Sequence, residues 1–332
     1  MKKLFITGSK LRSIKFLTRD EETNNSIDFV IGSWGETENT LTFYTLENPD
    51  MYDDPHISQT HTISHNGNVN SIVTYPYSSL NNMENINQRP QLNPFLLTSS
   101  NGNVTLYHIE NLHNKSTPNN QRVEKIQEYK LSKLPINSID IESFSQQLIS
   151  AAGDDGNVHI FSIEQQKHKS SSQHQPPPHI KLFDIRDKNQ KPNKIFLNKR
   201  NLSSNYSLAL HPTNPDQIVV GSADGSISVW DMRFESLEPI VSRIHSSAIW
   251  NLMFHPIYSN FLFSCSEDGS LDRLDFNRST LNKHNNSLQI FSSSLFTQPL
   301  AINSFDIFAD LIIGVSDSQN ILIGNSQEFK LN

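Results

Sequence analysis

The chain has 332 residues, of which 35% are hydrophobic and 18% charged, and its formal net charge is −7. This acidic balance excludes a protein built mainly to coat nucleic-acid phosphate, because that task needs a dense basic face. The longest apolar runs, such as residues 311–313, fall far short of the roughly 20 residues of a membrane span, and no signal-peptide core follows Lys2 and Lys3. Cys265 is the only cysteine, which excludes an intramolecular disulfide and a thiolate zinc cage and favours the cytosol or nucleus.

Six hairpin units, each made of a strand, a turn and a second strand, follow one another along the chain. In four of them the turn contains Asn-Gly or Asp-Gly, a strong hairpin signal because such turns require positive φ. In chain order the units cover residues 27–46, 95–109, 147–163, 217–231, 261–276 and 311–325. Each unit is preceded by another short strand, at residues 14–16, 69–75, 136–141, 206–210, 249–254 and 300–305.

The clearest unit ends in Trp230 and Asp231. It consists of a β-branched strand, a Ser-x-Asp-Gly turn and an alternating strand. Sheets of about 40–45 residues that carry Asp-Gly and Trp-Asp are typical of a WD-repeat β-propeller. The sequence therefore predicts an all-β fold, a WD-repeat β-propeller of nominally seven blades, in a single domain over residues 1–332.

The fourth blade is predicted to be truncated. Residues 180–186 look like the third strand of a blade, but the His-, Ser-, Gln- and Pro-rich residues 164–179 before them leave no room for two packed strands. We expect residues 164–179 to form a disordered loop and residues 180–185 to insert as a strand. Residues 4–7 are expected to pair beside residues 321–323, so that the N-terminal strand closes the propeller and removes exposed edges.

Histidine and turn residues recur with the repeat. His245 precedes the strand at residues 249–254, with Asp268 in the next turn, and His65 and Asn101 repeat this relation. In propellers of this class a His, a turn Asp, a strand Ser and the Trp form a hydrogen-bonded ladder. The predicted structural ladder consists of His65, Asn101, Asp155, Asp224, Trp230, His245 and Asp268. A catalytic His/Asp pair is the alternative, but recurrence favours the structural interpretation, because a catalytic site occurs once.

The sequence offers no catalytic, cofactor-binding or metal-binding motif. His168, His174 and His179 surround a Pro-rich stretch, but their spacing matches no compact ligand motif. Only 12 glycines are present, nearly all in hairpin turns, so no phosphate-binding glycine loop is expected. Cys265 lies in an apolar strand, where a buried small hydrophobic residue is expected. We therefore predict a protein that is not an enzyme and needs no cofactor.

A basic stretch follows the predicted strand of the truncated blade. It consists of Lys188, Lys191, Lys194, Lys199 and Arg200, interrupted by a proline. A phosphate-binding or nuclear-import role is one interpretation. A solvated loop is the interpretation that the sequence favours.

Three stretches carry a family resemblance. Trp-Asn-Leu-Met-Phe-His-Pro at residues 250–256, followed by Leu-Phe-Ser-Cys-Ser-Glu-Asp-Gly-Ser-Leu at 262–271, is the most specific. Residues 300–306 leading into 313–317, and Phe-Val-Ile-Gly-Ser-Trp at 29–34, are the other two. They resemble the last two blades and the first blade of the forty-three-kilodalton WD-repeat nucleoporins, from the Y-shaped outer-ring complex of the nuclear pore. The family keeps aromatic residues where this chain has Asp272 and Leu274.

The resemblance implies a non-catalytic scaffold or adaptor. It implies location at the nuclear envelope in the nuclear pore complex, and helical scaffold and propeller subunits of the outer ring as partners in a hetero-oligomer. Direct nucleic-acid binding and membrane insertion are not expected. The implied roles are pore assembly, transport of protein and messenger RNA, and kinetochore association in dividing cells.

A substrate receptor of a cullin-type ubiquitin ligase is the alternative function. Residues 230–233 (Trp-Asp-Met-Arg) and 183–186 (Phe-Asp-Ile-Arg) resemble the adaptor-docking box of those receptors. An Arg just after the third strand is, however, common in propellers, where it can stabilise the blade through an ion pair. The receptors also usually carry a helix ahead of the ring, whereas this sequence begins with a strand.

Overall fold

The computed structural model describes most of the chain. The described residues are 3–19, 26–48, 55–75, 95–110, 122–141, 148–154, 158–162, 169–170, 179–182, 194–197, 203–214, 216–234, 239–282 and 287–325. Their regular secondary structure consists of 26 β-strands, and no helix occurs among them. Accordingly, the described part of the chain contains no helix that could cross a membrane. The all-β prediction is confirmed.

The chain divides into two compact units, and the first covers residues 9–174. Its strands form three four-stranded antiparallel sheets, β2-β3-β4-β5, β6-β7-β8-β9 and β10-β11-β12-β13 in spatial order. The strands are β2 (Leu11–Arg19), β3 (Ser26–Ser33), β4 (Asn39–Glu47), β5 (His56–His65), β6 (Ser71–Tyr75), β7 (Phe95–Ser99), β8 (Asn103–Glu110), β9 (Arg122–Lys130), β10 (Ile136–Ile141), β11 (Leu148–Gly153), β12 (Val158–Ser162) and β13 (Lys169–Ser170).

The second unit covers residues 1–8 and 175–332. Its strands are β1 (Lys3–Ile6), β14 (His179–Leu182), β15 (Lys194–Leu197), β16 (Asn205–Leu210), β17 (Gln217–Ser222), β18 (Ser226–Asp231), β19 (Ile240–Arg243), β20 (Ile249–Phe254), β21 (Phe261–Ser266), β22 (Ser270–Asn282), β23 (Ser287–Thr297), β24 (Ile302–Phe308), β25 (Leu311–Ser316) and β26 (Asn320–Asn325). They form the sheets β14-β15 and β1-β26-β25-β24, and the sheets β16-β17-β18-β19 and β20-β21-β22-β23, which are joined by one parallel bridge between β19 and β23.

The middle strand β17 is apolar on both faces because neighbouring sheets pack against each of them. Every residue of β3 is buried, and so are five of the six residues of β17. Val219 on one face of β17 packs with Ile249 and Leu252 of β20. Ile218 and Val220 on the other face pack with Phe196 of β15. This two-sided burial explains why strict alternation of apolar and polar residues is weak in these strands.

Three hairpin turns share a backbone design that requires glycine. Gly102, Gly225 and Gly269 have φ of 81°, 82° and 84°, as the Asn-Gly and Asp-Gly signals predicted. A Cβ on Gly225 would lie 2.2 Å from the carbonyl oxygen of His245, and one on Gly269 would lie 2.1 Å from that of Gln298. Glycine is therefore needed here for two reasons: it adopts the positive φ of the turn, and it leaves room for the backbone that passes next to it.

The strands that the sequence predicted are present. The six hairpins correspond to β3-β4, β7-β8, β11-β12, β17-β18, β21-β22 and β25-β26, and the strands before them to β2, β6, β10, β16, β20 and β24. The predicted N-terminal pairing is also present, with Phe5 opposite Ile321 in the β1-β26 pair. Repeated four-stranded antiparallel sheets support the predicted WD-repeat β-propeller class, whereas the seven-blade count and the single domain stay predictions.

The region of the truncated blade contains a two-stranded sheet. Ile180 lies opposite Phe196 in the antiparallel pair β14-β15, so the predicted strand is present over residues 179–182. Residues 183–185 lie outside the described part. Within the predicted loop at 164–179, Lys169 and Ser170 form β13 against β12, and His179 begins β14. The other residues of the loop lie outside the described part, so the loop stays a prediction.

Candidate functional site

His245 lies at the centre of a buried polar cluster. It lies two residues after the end of strand β19, and its side chain is fully buried. Its Nδ1 lies 2.8 Å from Oγ of Ser270, and its Nε2 lies 2.7 Å from Oγ of Ser264. The imidazole thus connects the end of β19 with β21 and β22.

Asp268 anchors the same cluster from the hairpin turn. Its Oδ1 accepts hydrogen bonds from N and Oγ of Ser270, at 3.0 and 2.6 Å, and its Oδ2 accepts one from N of Ser246 at 2.9 Å. Burial raises the pKa of Asp268, but the hydrogen bonds from Ser270 and Ser246 and the neighbouring His245 outweigh it and lower the pKa to about 2. The carboxyl group is therefore ionised at neutral pH.

The hydrogen-bond chain fixes the tautomer of His245. Because Ser270 donates its single hydroxyl proton to Asp268, its oxygen must accept from Nδ1–H of the imidazole. With the Nδ1 proton in this bond, Nε2 of an imidazole that carries a single proton accepts from Ser264. Nδ1 of His245 and Oδ2 of Asp268 are 3.4 Å apart, and Ser270 also connects the two residues.

His65 forms a smaller version of the cluster in the first unit. Its Nδ1 donates to the carbonyl of Gly67 at 3.0 Å, and its Nε2 accepts from Oγ1 of Thr98 at 2.9 Å. Burial lowers the pKa of His65, so the ring is neutral. Asn101 makes no hydrogen bond to His65 among the described residues. It packs over Gly67, where a Cβ would lie 2.7 Å from Nδ2 of Asn101.

Asp224 and Trp230 belong to one sheet but do not form a ladder together. Asp224 accepts from N and Oγ of Ser226 at 3.1 and 2.7 Å, as Asp268 does from Ser270. The buried Nε1 of Trp230 has no hydrogen-bond partner among the described residues. Val220 explains this, because it stands four residues before Asp224, where Ser264 stands before Asp268, and it carries no hydroxyl. Trp230 instead makes an edge-on contact with Phe196, with ring centroids 5.8 Å apart.

Of the seven predicted ladder residues, the structure brings His245 and Asp268 into one cluster and places both His65 and Asn101 against Gly67. Asp155 lies outside the described residues. The hydroxyl partners Ser264, Ser270 and Thr98 were not singled out from the sequence. The signal that could have found Ser264 and Ser270 is a serine four residues before the turn aspartate and another two residues after it.

Asp272 adds a buried carboxylate to the cluster of His245. Its Oδ2 lies 4.0 Å from Nδ1 of His245, and its buried Oδ1 has no hydrogen-bond partner among the described residues. Burial raises the pKa of Asp272 despite the opposing effects of His245 and a hydrogen bond from Ser294. Asp272 is thus a buried carboxyl group that is costly to ionise.

The Arg233 box has a local partner. Nε and Nη2 of Arg233 bind Oδ1 and Oδ2 of Asp231 at 2.9 and 2.6 Å. Side-chain and backbone hydrogen bonds from Arg233 lower the pKa of Asp231 to about 2. The pair matches the ion-pair interpretation of the box. The second box, at residues 183–186, lies outside the described part.

The described residues contain no cluster of His, Cys, Asp and Glu side chains that could hold a metal ion. His179 begins β14, whereas His168 and His174 lie outside the described part. Cys265 is fully buried in the apolar core between β21 and β24, as predicted. The buried histidines bond strands and turns to one another through hydroxyl and carbonyl groups.

Comparisons with known proteins agree with the repeat pattern. The family profile of the WD domain, G-beta repeat (WD40), matches residues 203–231, which contain β16 to β18. The nuclear pore complex protein nup43 of Dictyostelium discoideum is 31% identical over 206 residues, covering 52% of this chain and 48% of that protein. Nucleoporin Nup43 of Homo sapiens is 23% identical over 180 residues, covering 43% and 47%.

A shorter similarity extends to DNA damage-binding protein 2 of Bos taurus, which is 32% identical over 89 residues, or 26% of this chain and 19% of that protein. The chain spans about half the length of the two Nup43 relatives that it matches.

Proposed function

Because the chain is a WD-repeat protein related to the Nup43 nucleoporins, we propose that it is a non-catalytic scaffold subunit of the nuclear pore complex. The observation that carries this proposal is the similarity to two proteins named as Nup43, over 206 and 180 residues. The packing supports it, because the buried histidines bond hydroxyl and carbonyl groups of neighbouring strands and turns. Sheets of this kind present large fixed surfaces to partners.

The proposal extends to location and partners. The protein lies at the nuclear envelope in the outer ring of the pore, where it binds helical scaffold and propeller subunits. It supports pore assembly and the transport of protein and messenger RNA, and it associates with kinetochores in dividing cells. Imaging of the tagged protein tests the location: a punctate nuclear rim in interphase is expected, and a diffuse cytosolic signal would contradict it.

Affinity purification of the tagged full chain tests the partners. Recovery of outer-ring nucleoporins is expected. The alternative, a substrate receptor of a cullin-type ubiquitin ligase, predicts recovery of the ligase adaptor instead. Arg233→Ala is a useful comparison, because it removes the exposed guanidinium of the only box that the structure describes. Loss of an adaptor with this variant would support the receptor, whereas unchanged recovery of nucleoporins supports the scaffold.

A further inference from the structure

Sheet β14-β15 covers only part of its neighbour. It has two strands, whereas every other sheet in the described part of the chain contains at least four. Phe196 of β15 and Ile180 of β14 pack on Ile218 and Val220 of β17 and on Trp230 of β18. The two-stranded sheet β14-β15 thus covers two strands, β17 and β18, of the sheet that it packs on.

The uncovered part of that face lies on β16. Leu208 is directly opposite Val220 and Leu210 directly opposite Ile218, so these side chains share one face of the sheet. Ile218 and Val220 are 2% and 1% exposed, whereas Leu208 and Leu210 are 50% and 62% exposed. The apolar face therefore continues from β17 onto β16, whereas the sheet β14-β15, which covers this face on β17, leaves Leu208 and Leu210 of β16 exposed.

The opposite face of β16 behaves normally. Ala209 is buried and packs with Val219 and Ile249 against the neighbouring strand β20. The exposure of Leu208 and Leu210 is thus confined to the side that β14-β15 covers incompletely. Tyr206, at the bulge that begins β16, is also 50% exposed and stacks on Trp250 with ring centroids 5.1 Å apart.

We propose that this site, called here the open slot, binds a β-hairpin of another protein. The open slot consists of the exposed Leu208 and Leu210 and the edge of β14, which pairs only with β15 among the described strands. The hairpin pairs with β14 and lays alternate apolar side chains on the two leucines. The sheet then reaches the four strands of the others.

The size of the slot favours added strands over a flat contact. Two half-exposed leucines supply only a fraction of the roughly 800 Å² per partner that a specific interface buries. An occupant that also pairs with the backbone of β14 gains both hydrogen bonds and area, which is the usual mode of strand addition at an exposed edge. The segment that precedes β14 is a poor source, because residues 164–178 contain no large apolar side chain.

Charge indicates the chemistry of the hairpin. Residues 179–200 contain seven Lys or Arg and only two Asp, although the whole chain has a net charge of −7. An occupant that pairs with β14 comes close to the described strands β14 and β15, which contain two Lys and no Asp or Glu. Its polar positions are therefore acidic, and its affinity falls as salt screens the attraction.

Site-specific photo-crosslinking tests the proposal in the full chain. A photoreactive amino acid replaces Leu208 in the tagged protein, expressed in the cells of its source, and the crosslinked peptides are sequenced. The matched control places the same amino acid at Ile257, which is 64% exposed in the turn between β20 and β21. We expect position 208, and not 257, to capture a segment of another protein with alternating apolar residues and flanking Asp or Glu.

The captured segment is then synthesised and titrated into the purified full chain. Leu208→Ser with Leu210→Ser should weaken its binding at least tenfold without lowering the melting temperature, because both side chains are exposed, while Ile257→Ser should leave binding unchanged. Hydrogen exchange at residues 179–182 should slow in the complex. Crosslinks confined to this chain or to an isotopically distinguished second copy, no crosslink, or binding insensitive to the double variant would each overturn the proposal.

The identity of the captured protein separates this proposal from the proposed function. A hairpin from a protein outside the pore would support the open slot and count against the nucleoporin scaffold. Recovery of outer-ring nucleoporins that is unaffected by the double variant, together with no crosslink at position 208, would do the reverse.

Discussion

Both ring nitrogens of His245 hydrogen-bond to serine hydroxyl groups. The contribution of His245 to folding therefore depends on the Asp268 carboxylate, which orients the hydroxyl of Ser270. Asp268 holds Ser270 with two hydrogen bonds and Ser246 with another. Without the carboxylate, the proton of Ser270 is free to point elsewhere, and the tautomer of His245 is no longer fixed. The pair therefore acts as a structural unit joining a turn to the preceding strand.

Asp268→Ala should destabilise the protein without removing a binding surface. Loss of a buried hydrogen-bond partner typically costs about 1–3 kcal/mol, so we expect a lower melting temperature in thermal unfolding. Because the folded pKa of Asp268 is about 2 and its ordinary value is 3.8, the stabilisation is present above pH 3.8 and lost as the pH falls towards about 2. The difference between variant and wild type should shrink over that window.

Glu267→Ala is the matched control for Asp268. Glu267 belongs to the same turn, but its carboxylate accepts only a solvent-exposed hydrogen bond, from Oγ of Ser247, among the described contacts. We expect little change in its melting temperature and normal recovery of partners for both folded variants. An unchanged melting temperature of Asp268→Ala together with lost partner binding would show that the turn is an interface instead.

Asp272→Asn should stabilise the protein at neutral pH. The folded pKa of Asp272 is raised by burial, so its ionised form is destabilising above that pKa, and the penalty disappears as the pH falls below the ordinary value of 3.8. Asparagine keeps an oxygen that can accept from Ser294 and removes the charge. We expect a gain of about 1 kcal/mol near pH 7, seen in denaturant unfolding, and little gain near pH 3.

Asp140→Asn provides the control for this charge removal, because Asp140 is exposed on β10. Its substitution should leave the free energy of unfolding nearly unchanged at both pH values. A loss of stability at pH 7 in Asp272→Asn would mean that the ionised carboxylate supports His245 instead of burdening it.

Not every contact of these buried polar residues could be predicted from the sequence. The positions of His245 and Asp268 followed from the repeat, whereas Ser270 was not predicted, although it stands two residues after the turn aspartate, as Ser226 does after Asp224. Trp230 was expected in a ladder because the motif normally supplies a strand hydroxyl. Val220 removes that hydroxyl, so the indole packs on Phe196 instead.

At the scale of elements, turn chemistry made most strands predictable. Asp-Gly and Asn-Gly mark the middle hairpins, and β-branched residues mark the strands beside them. The strands β5, β9, β19 and β23 were not individually predicted. They lack a tight turn on at least one side and carry many polar residues, as β5 does with its exposed His56, Gln59 and Thr60. Neither the alternation of apolar residues nor a turn motif therefore identifies them.

Two glycines in the second unit separate turn strain from steric exclusion. Gly8 and Gly269 have similar φ, 81° and 84°, but a Cβ on Gly8 meets nothing within 4 Å, whereas one on Gly269 would lie 2.1 Å from O of Gln298. Gly8→Ala should cost about 1–2 kcal/mol, the penalty of a left-handed alanine. Gly269→Ala should cost several-fold more in denaturant unfolding, because the hydrogen bond from N of Gln298 to O of Gly269 must also move. Equal costs would show that the backbone relaxes freely around the turn.

At the scale of the whole molecule, the division into two units provides the last prediction. The boundary falls between residues 174 and 175, inside the Ser-, Gln- and Pro-rich stretch that precedes β14. The sequence prediction of a loop over 164–179 and the boundary thus coincide, although Lys169 pairs with Ile160 across β12 and β13. A protease should therefore reach this stretch more readily than the paired strands on either side.

Limited trypsin digestion should cut first at Lys167 or Lys169 and spare Lys181. Lys181 lies opposite Ile195 in the four-residue β14-β15 pair, and a paired strand must open before a protease can bind it in an extended form. Lys169 belongs to the two-residue strand β13, which is held by fewer pairings and opens more readily. Mass spectrometry of early products should show two fragments that meet near residue 169. Digestion at Lys130, at the end of β9, provides an internal comparison within a four-stranded sheet and should be slow. Early cleavage at Lys181 in otherwise folded protein would show that β14 opens easily, and it would leave the open slot without the strand edge on which a partner hairpin depends.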